Sequence, residues 1–215
     1  MKRQNAAYHD DSPSHHTVAS ATSIRHILLK GDLIAVQQYV PETTYRLLQN
    51  YQNTHDFAAW HHFWPLLKYQ LITSSTEQLQ QIRGITEGIE NRLQKAALHA
   101  DNFEDFLIWT VTKRYSKSRI QRTALQIIMQ QQKTEAPPQN YIRILGMSST
   151  GQRYLSHIKK EIPLPLVSTM SKANPALIQN DIRATQLYSL APTLSDQIQR
   201  DFQTPIYRKI LNQRD

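Results

Sequence analysis

The chain contains no cysteine, which excludes a disulfide framework, a thiolate metal site and a cysteine nucleophile. Glycine is almost as scarce. Five scattered residues, Gly31, Gly84, Gly88, Gly146 and Gly151, are all that 215 positions hold, where ordinary usage is about 7%. No G-x-G-x-x-G fingerprint and no Walker A loop can be written with them, so both standard phosphate cradles are excluded. No apolar run approaches the roughly 18 residues of a membrane span. The basic start Met1-Lys2-Arg3-Gln4-Asn5 leads into Tyr8-His9-Asp10-Asp11-Ser12-Pro13 instead of an apolar signal core, so the sequence reads as cytoplasmic, without a membrane partner. Histidines occur as the adjacent pairs His15-His16 and His61-His62. Neighbours in sequence do not share a helix face, and no H-x₃-H or H-E-x-x-H spacing occurs, so no metal site is expected.

What is present is basic and globular. Lys and Arg number 25 against 17 Asp and Glu, a formal charge of +8, with 40% hydrophobic and 20% charged residues. The length buries a sizeable core, and the basic excess makes a polyanion the first partner to consider.

The first 19 residues are polar and without periodicity. From Ser20 the pattern is helical. Ser20 caps a helix that closes on Gly31, Asp32 caps a short second one, and Pro41-Glu42 open a third. Residues 57–72 are dense in aromatics, with Trp60, Phe63, Trp64 and Tyr69 read as core and Pro65 at a helix start or kink. Ile85, Ile89, Leu93 and Ala97 form one apolar stripe over 85–99. Residues 118–133 give the clearest helix: Ile120, Ala124, Ile127 and Ile128 share one face, and Arg119, Arg122, Gln126 and Gln130 the other. Ala136-Pro137-Pro138 stops it. Strand-like residues 141–145 and 165–169 then flank a helical 149–161, the order of a small βαβ unit with two parallel strands, and a last helix covers 175–190. The reading is therefore mainly α, with a helical domain over 20–135, a small two-stranded parallel βαβ plus helix over 136–190, and a polar tail over 191–215.

Two constellations carry chemistry. At the first helix, Ser20, Thr22 and Arg25 combine hydroxyls, free amides and a guanidinium one turn in, the components of an anion site; an ordinary cap with a solvent-facing Arg fits the same residues. The second is Lys113-Arg114-Tyr115-Ser116-Lys117-Ser118-Arg119, continuing to Arg122. It holds five positive charges and no acid, with Tyr115 available to stack on a base. A solvated helix start fits it too, but cations at a helix N-terminus oppose the macrodipole unless an anion compensates. Tyr141, Arg143 and Gly146 form a weaker candidate, and Asp181 with Arg183 a possible surface pair.

Taken in order, Tyr8-His9-Asp10 and Ala19-Ser20-Ala21-Thr22-Ser23-Ile24-Arg25 resemble the closing nucleotide-binding motif of HxGH-type nucleotidyltransferases. The series continues through Leu67-Lys68-Tyr69, Glu87-Gly88-Ile89-Glu90, Phe103-Glu104-Asp105-Phe106, Thr112-Lys113-Arg114-Tyr115 and Arg119-Ile120-Gln121-Arg122. Tyr141-Ile142-Arg143-Ile144-Leu145-Gly146-Met147, Pro165-Leu166-Val167-Ser168 and Asp181-Ile182-Arg183-Ala184 complete it. Over roughly residues 3 to 190 this is similar to the C-terminal half of the bacterial tRNA(Met) cytidine acetate ligase family.

The resemblance implies an enzyme that activates acetate with ATP and Mg2+ as acetyl-adenylate, then acetylates N4 of the wobble cytidine of elongator tRNA(Met). Ser20, Thr22 and Arg25 would meet ATP phosphates. Lys113, Arg114, Tyr115, Lys117, Arg119 and Arg122 would contact tRNA, an inference from their charge. The HxGH motif, and the strand and Gly-rich turn that precede it, do not occur in this chain. The N-terminal Rossmann-like catalytic domain is thus expected to be absent, residues 1–19 being its residual tail, and no catalytic residue is expected here. The alternative is a stand-alone helical protein-interaction module that binds neither RNA nor ATP.

Overall fold

The computed structural model describes residues 18–133, 140–191, 194, 198–204 and 206–209. Tyr8-His9-Asp10, His15-His16, Ala136-Pro137-Pro138 and most of the expected 1–19 tail lie outside the described residues.

The helix signals operate where the sequence puts them. Ser20 caps α1 (Ala21–Leu29), its Oγ accepting the Ser23 N–H, and Gly31 takes φ +81° just past its end. Asp32 caps α2 (Leu33–Val36), and Pro41 precedes α3 (Glu42–Gln52). α4 (Trp60–Thr73) carries Pro65 in its interior, and α5 (Thr76–Gln80) opens with a Ser75/Gln78 capping box. α7 (Phe103–Thr110) is capped by Asn102, and α8 (Lys117–Ile128) by Ser116.

Two helix boundaries differ from the periodicity. α6 spans Ile89–His99, one turn later than the apolar stripe predicts, because Glu87 (φ 63°) and Gly88 (φ 76°) are both left-handed. Ile85 is buried all the same, from the turn before the helix. α8 stops at Ile128 because Gln130 takes φ 51°. The Gln131 N–H then reaches the Gln126 carbonyl and the Gln130 N–H that of Ile127, a Schellman closure with glutamine in the position glycine usually fills.

α4, α6, α7 and α8 enclose the main core, which includes Leu67, Leu71, Leu93, Phe103, Phe106, Ile120 and Ile127. Trp60 stacks on Phe103 with centroids 4.1 Å apart, and the Trp64 indole N–H donates to the Asp101 carbonyl at 2.9 Å. Tyr69 does not join this aromatic cluster. It lies 63% exposed on the outer face of α4.

The expected βαβ unit is present: β1 (Ile142–Arg143) pairs in parallel with β3 (Leu166–Val167) across α9 (Ser149–Ile158). A second parallel pair joins β2 (Gly146–Ser148) to β4 (Tyr207–Lys209), so the polar 191–215 segment contributes a strand as well as α11 (Arg200–Gln203). α10 (Pro175–Tyr188) starts from an Asn174 cap with proline at its first position. Val167, Met170, Leu177 and Ile178 form the small core of this unit. No helix among the described residues is long and apolar enough to cross a membrane.

Candidate nucleic-acid interface

The start of α8 is set by a closed turn in which Thr112 and Tyr115 exchange bonds. The Tyr115 N–H donates to Thr112 Oγ1 at 3.1 Å, and the Thr112 N–H to the Tyr115 carbonyl at 3.0 Å. Ser116 Oγ then accepts the Arg119 N–H. This turn meets the left-handed turn at residues 84–88. Arg114 pairs with Glu87 at 2.5 Å. Arg119 Nη2 donates to Thr86 Oγ1 at 3.0 Å, and the Tyr115 hydroxyl donates to Glu87 Oε2 at 3.4 Å.

Tyr115 is only 7% exposed, and the Arg119 guanidinium lies 4.6 Å from its ring centroid. The sequence offered it as a platform for a base, but its ring is buried and faced by arginine, a cation–π contact that holds Arg119 in place. Within the basic run, Arg114 is ion-paired. Lys113, Lys117 and Arg122 are exposed and have no ion-pair partner among the described residues. Arg83, Gly84 and Thr86 face Arg119, Arg122 and Thr123 across a cavity of about 300 Å³. Sequence spacing has no local sign of this meeting. The nearest hint is the Glu87-Gly88 pair, which marks a turn without saying what it turns toward.

At the start of α1, Ser20 is buried and its Oγ is engaged with the Ser23 N–H and hydroxyl, both at 3.0 Å. Thr22 is half-buried and Arg25 exposed, and their side chains have no partner among the described residues. A phosphate would therefore find Thr22, Arg25 and the first amides of the helix, with Ser20 holding the turn.

The remaining candidates are tied into structure. The Tyr141 hydroxyl donates to Asp181; burial, then this carboxylate, pushes the phenol up to about 12. Arg143 pairs with the nearly buried Asp201 at 2.6 Å. A Cβ on Gly146 would stand 3.1 Å from the Tyr207 carbonyl oxygen, which accounts for glycine where β2 meets β4. Arg183 does not pair with Asp181; its Nη1 donates to the Met129 carbonyl at 3.2 Å. His61 and His62 face each other with Nε2 atoms 2.9 Å apart. No group of three or more acidic or histidine side chains able to hold a metal ion occurs among the described residues.

Comparison with known proteins bears on this surface. The model of the HIGH nucleotidyl transferase family matches residues 1–203. Curated proteins of Listeria monocytogenes serovar 1/2a and Listeria welshimeri serovar 6b, each called tRNA(Met) cytidine acetate ligase, are 48% identical to the chain over 205 residues. The match takes in 95% of this chain but 52% and 51% of theirs, so the chain spans about half the length of these relatives. Among solved structures, Thermotoga maritima TmcAL in its apo form superposes with a TM-score of 0.85 at 26% identity, over 98% of this chain and 55% of that one. The same protein bound with alpha-thio ATP gives 0.77 at 27% identity, over 89% and 52%.

Proposed function

The chain belongs to the HIGH nucleotidyl transferase family, and on that premise we propose that it is the C-terminal, tRNA-contacting region of an ATP-dependent tRNA(Met) cytidine acetate ligase. The complete reaction joins acetate to the α-phosphate of ATP, releasing pyrophosphate. The exocyclic N4 amine of the wobble cytidine then attacks the acetyl carbonyl and releases AMP.

The observation that carries this reading is the surface at the start of α8, where cations stand against the helix dipole with one acid, Glu87, among them. Such a placement costs stability in the free protein and is relieved by a bound polyanion. Lys113, Lys117, Arg119 and Arg122 engage tRNA phosphates, while Arg114 and Tyr115 brace the turn through Glu87. The name shared by relatives at 48% identity supports tRNA(Met) as the substrate. ATP enters at α1, where Thr22, Arg25 and the helix amides would hold phosphate oxygens. Magnesium, where it accompanies ATP, would be held chiefly by those phosphates, and the described residues add no carboxylate cluster for it.

Binding of an unmodified tRNA(Met) transcript across a salt series tests the reading. Affinity should fall steeply, each engaged phosphate adding roughly 0.7–0.9 to the log–log slope. Reversing Lys113, Arg114, Arg119 and Arg122 to Glu should abolish binding, and unchanged affinity would overturn the assignment. In the complete enzyme, Arg25→Ala should lower acetyl-adenylate formation about tenfold or more, as expected for a lost charge-assisted phosphate contact. A normal rate there would remove α1 from the ATP site.

A further inference from the structure

We propose that the cavity between the C-terminal ends of α4 and α8 holds one unpaired RNA base, stacked on Tyr69 and hydrogen-bonded along its edge by glutamine amides. The proposal rests on the tRNA reading and deepens it. The cations at the start of α8 meet a backbone that every tRNA shares, whereas a base pocket can tell one loop from another.

The cavity measures about 430 Å³. Its floor is apolar, formed by the buried Leu79, Ile82 and Ile127. Its walls carry four glutamines, Gln70, Gln78, Gln130 and Gln132, and two hydroxyl side chains. Tyr69 also lines it and is 63% exposed. No charged side chain is among the lining residues, in a chain where one residue in five is charged. Phosphate, carboxylate and ammonium groups would find no counter-charge there, and a wholly apolar ligand would leave the amides without partners. A nucleobase has the matching features: a flat face for an aromatic ring, and an edge of donors and acceptors for amides, which offer both.

The side chains are available for this task. Gln70, Gln130 and Gln132 have no side-chain hydrogen-bond partner among the described residues, and the Tyr69 ring meets no other ring there. Gln78 accepts the Ser75 N–H through Oε1 at 2.8 Å, which leaves its amide N–H groups to donate. The backbone behind them is fixed. Gln132 is bridged to Ile82, with the Arg83 N–H donating to the Gln131 carbonyl and the Lys133 N–H to the Gln81 carbonyl, each at 2.7 Å. Gln130 holds its left-handed φ of 51° just past the end of α8; glycine would relieve that backbone but remove an amide from the wall. The eight residues from Arg122 to Gln130 correspond to about 12 Å of helical rise. One RNA loop can therefore lay its backbone on the basic start of α8 and a base in the cavity.

The test uses the 215-residue chain, a tRNA(Met) transcript and a fully paired RNA duplex. Y69A should weaken transcript binding about tenfold, the loss expected for one stacked base. The salt slope should stay unchanged, because no phosphate contact goes with the ring. Y69F, which keeps the ring, should bind like the unaltered chain. Duplex binding should respond to neither change, since its bases are already paired. Q130G should weaken transcript binding a few-fold while melting no lower than the unaltered chain, a combination that a merely structural role would not give.

Unchanged transcript affinity in both Y69A and Q130G would overturn the pocket while the tRNA reading stands. A Y69A loss that lowers the salt slope by about one, or that appears equally with the duplex, would overturn it too, as the loss of a backbone contact. If the unaltered chain binds no transcript at any salt, the tRNA reading fails. The cavity is then judged on its own by titrating adenosine and cytidine and following the glutamine side-chain amide resonances. Saturable shifts at Gln130 and Gln132 that Y69A abolishes would keep the base site, and their absence would end it.

Discussion

The helical body and the C-terminal βα unit bury themselves by different means. Among the described residues, the body gathers eighteen into one core, while the unit around β1, β3 and α10 gathers four. A body of the first kind is held by packing and tolerates a solvated, charged exterior. A unit of the second kind leans on polar pairs: Arg143 with Asp201, Tyr141 with Asp181, and the Arg183 guanidinium on the carbonyl of Met129, the residue that closes α8. The basic surface sits on the first kind, where charges at one helix start can be carried at a cost the core absorbs.

The largest expected effect lies in that core. Phe103 is fully buried and touches Trp60, Trp64 and Phe106, so Phe103→Ala should cost about 3–5 kcal/mol, whereas Met170→Ala in the small core should cost about 2. Urea unfolding followed by tryptophan fluorescence reads the body alone, because Trp60, Trp64 and Trp109 all lie there. Circular dichroism reads both parts. Coincident transitions in every variant would make the two regions one cooperative unit and dissolve the comparison.

Next comes the polar anchor. Asp201 keeps one oxygen on Arg143 and has the other buried without a hydrogen-bond partner among the described residues. Arg143→Met would leave the carboxylate buried and unpaired, at about 3 kcal/mol; pairing it with Asp201→Leu should recover most of that loss. Hydrogen exchange at the β1 and β2 amides should report the loss, with α6 and α7 unchanged. Equal acceleration in those helices would contradict a locally held unit.

Glycine offers a finer contrast. Gly146→Ala meets the Tyr207 carbonyl oxygen, so β2 and β4 must separate, whereas a Cβ on Gly88 meets nothing within 4 Å. Gly88→Ala is strained only by its φ of +76°, about 1 kcal/mol, which lowers Tm by roughly 2–4 °C in a chain of this size. It should also weaken tRNA binding slightly, because Glu87 holds Arg114 and Tyr115. A Gly88 variant that melts lower than the Gly146 variant would reverse the assigned causes.

The same contrast explains what was legible in the sequence. Ile120, Ala124 and Ile127 announce the buried face of α8, and Ser20 and Asp32 announce caps, because helices are specified by neighbours three and four apart. The β1–β3 pair was legible from two short apolar runs around a helix. The β2–β4 pair was not, since three residues next to β1 find their partner in a distant polar segment. The candidate site divides likewise. Arg119 and Arg122 are visible as a basic face, but Thr86 reaches Arg119 from a turn whose left-handed Glu87 no propensity foretells. Burial of Tyr115 follows from that turn too.

The smallest effect is on pH dependence, and it should act on the two regions from opposite ends. The Ala59 N–H at the start of α4 donates to His62 Nδ1 at 3.1 Å, which requires that nitrogen unprotonated. Burial, then the neighbouring His61, holds the His62 imidazole below its usual value, with Asp56 opposing. A depressed histidine contributes stability that is present above its unfolded value near 6.5 and is lost as pH falls through the lower folded value. The body should therefore weaken as pH falls below about 6.5, and only modestly because solvent screens a partly exposed ring. His62→Gln, whose amide oxygen can accept the same bond, should flatten that limb. Tyr141, pushed up to about 12, works the other way: its contribution is complete below the unfolded value near 10 and disappears as pH rises through the folded one. Tyr141→Phe should remove an alkaline limb from the C-terminal unit and leave the acid limb of the body untouched. If His62→Gln shifts the alkaline limb, or Tyr141→Phe the acid one, the two regions share a titration that their separate cores do not predict.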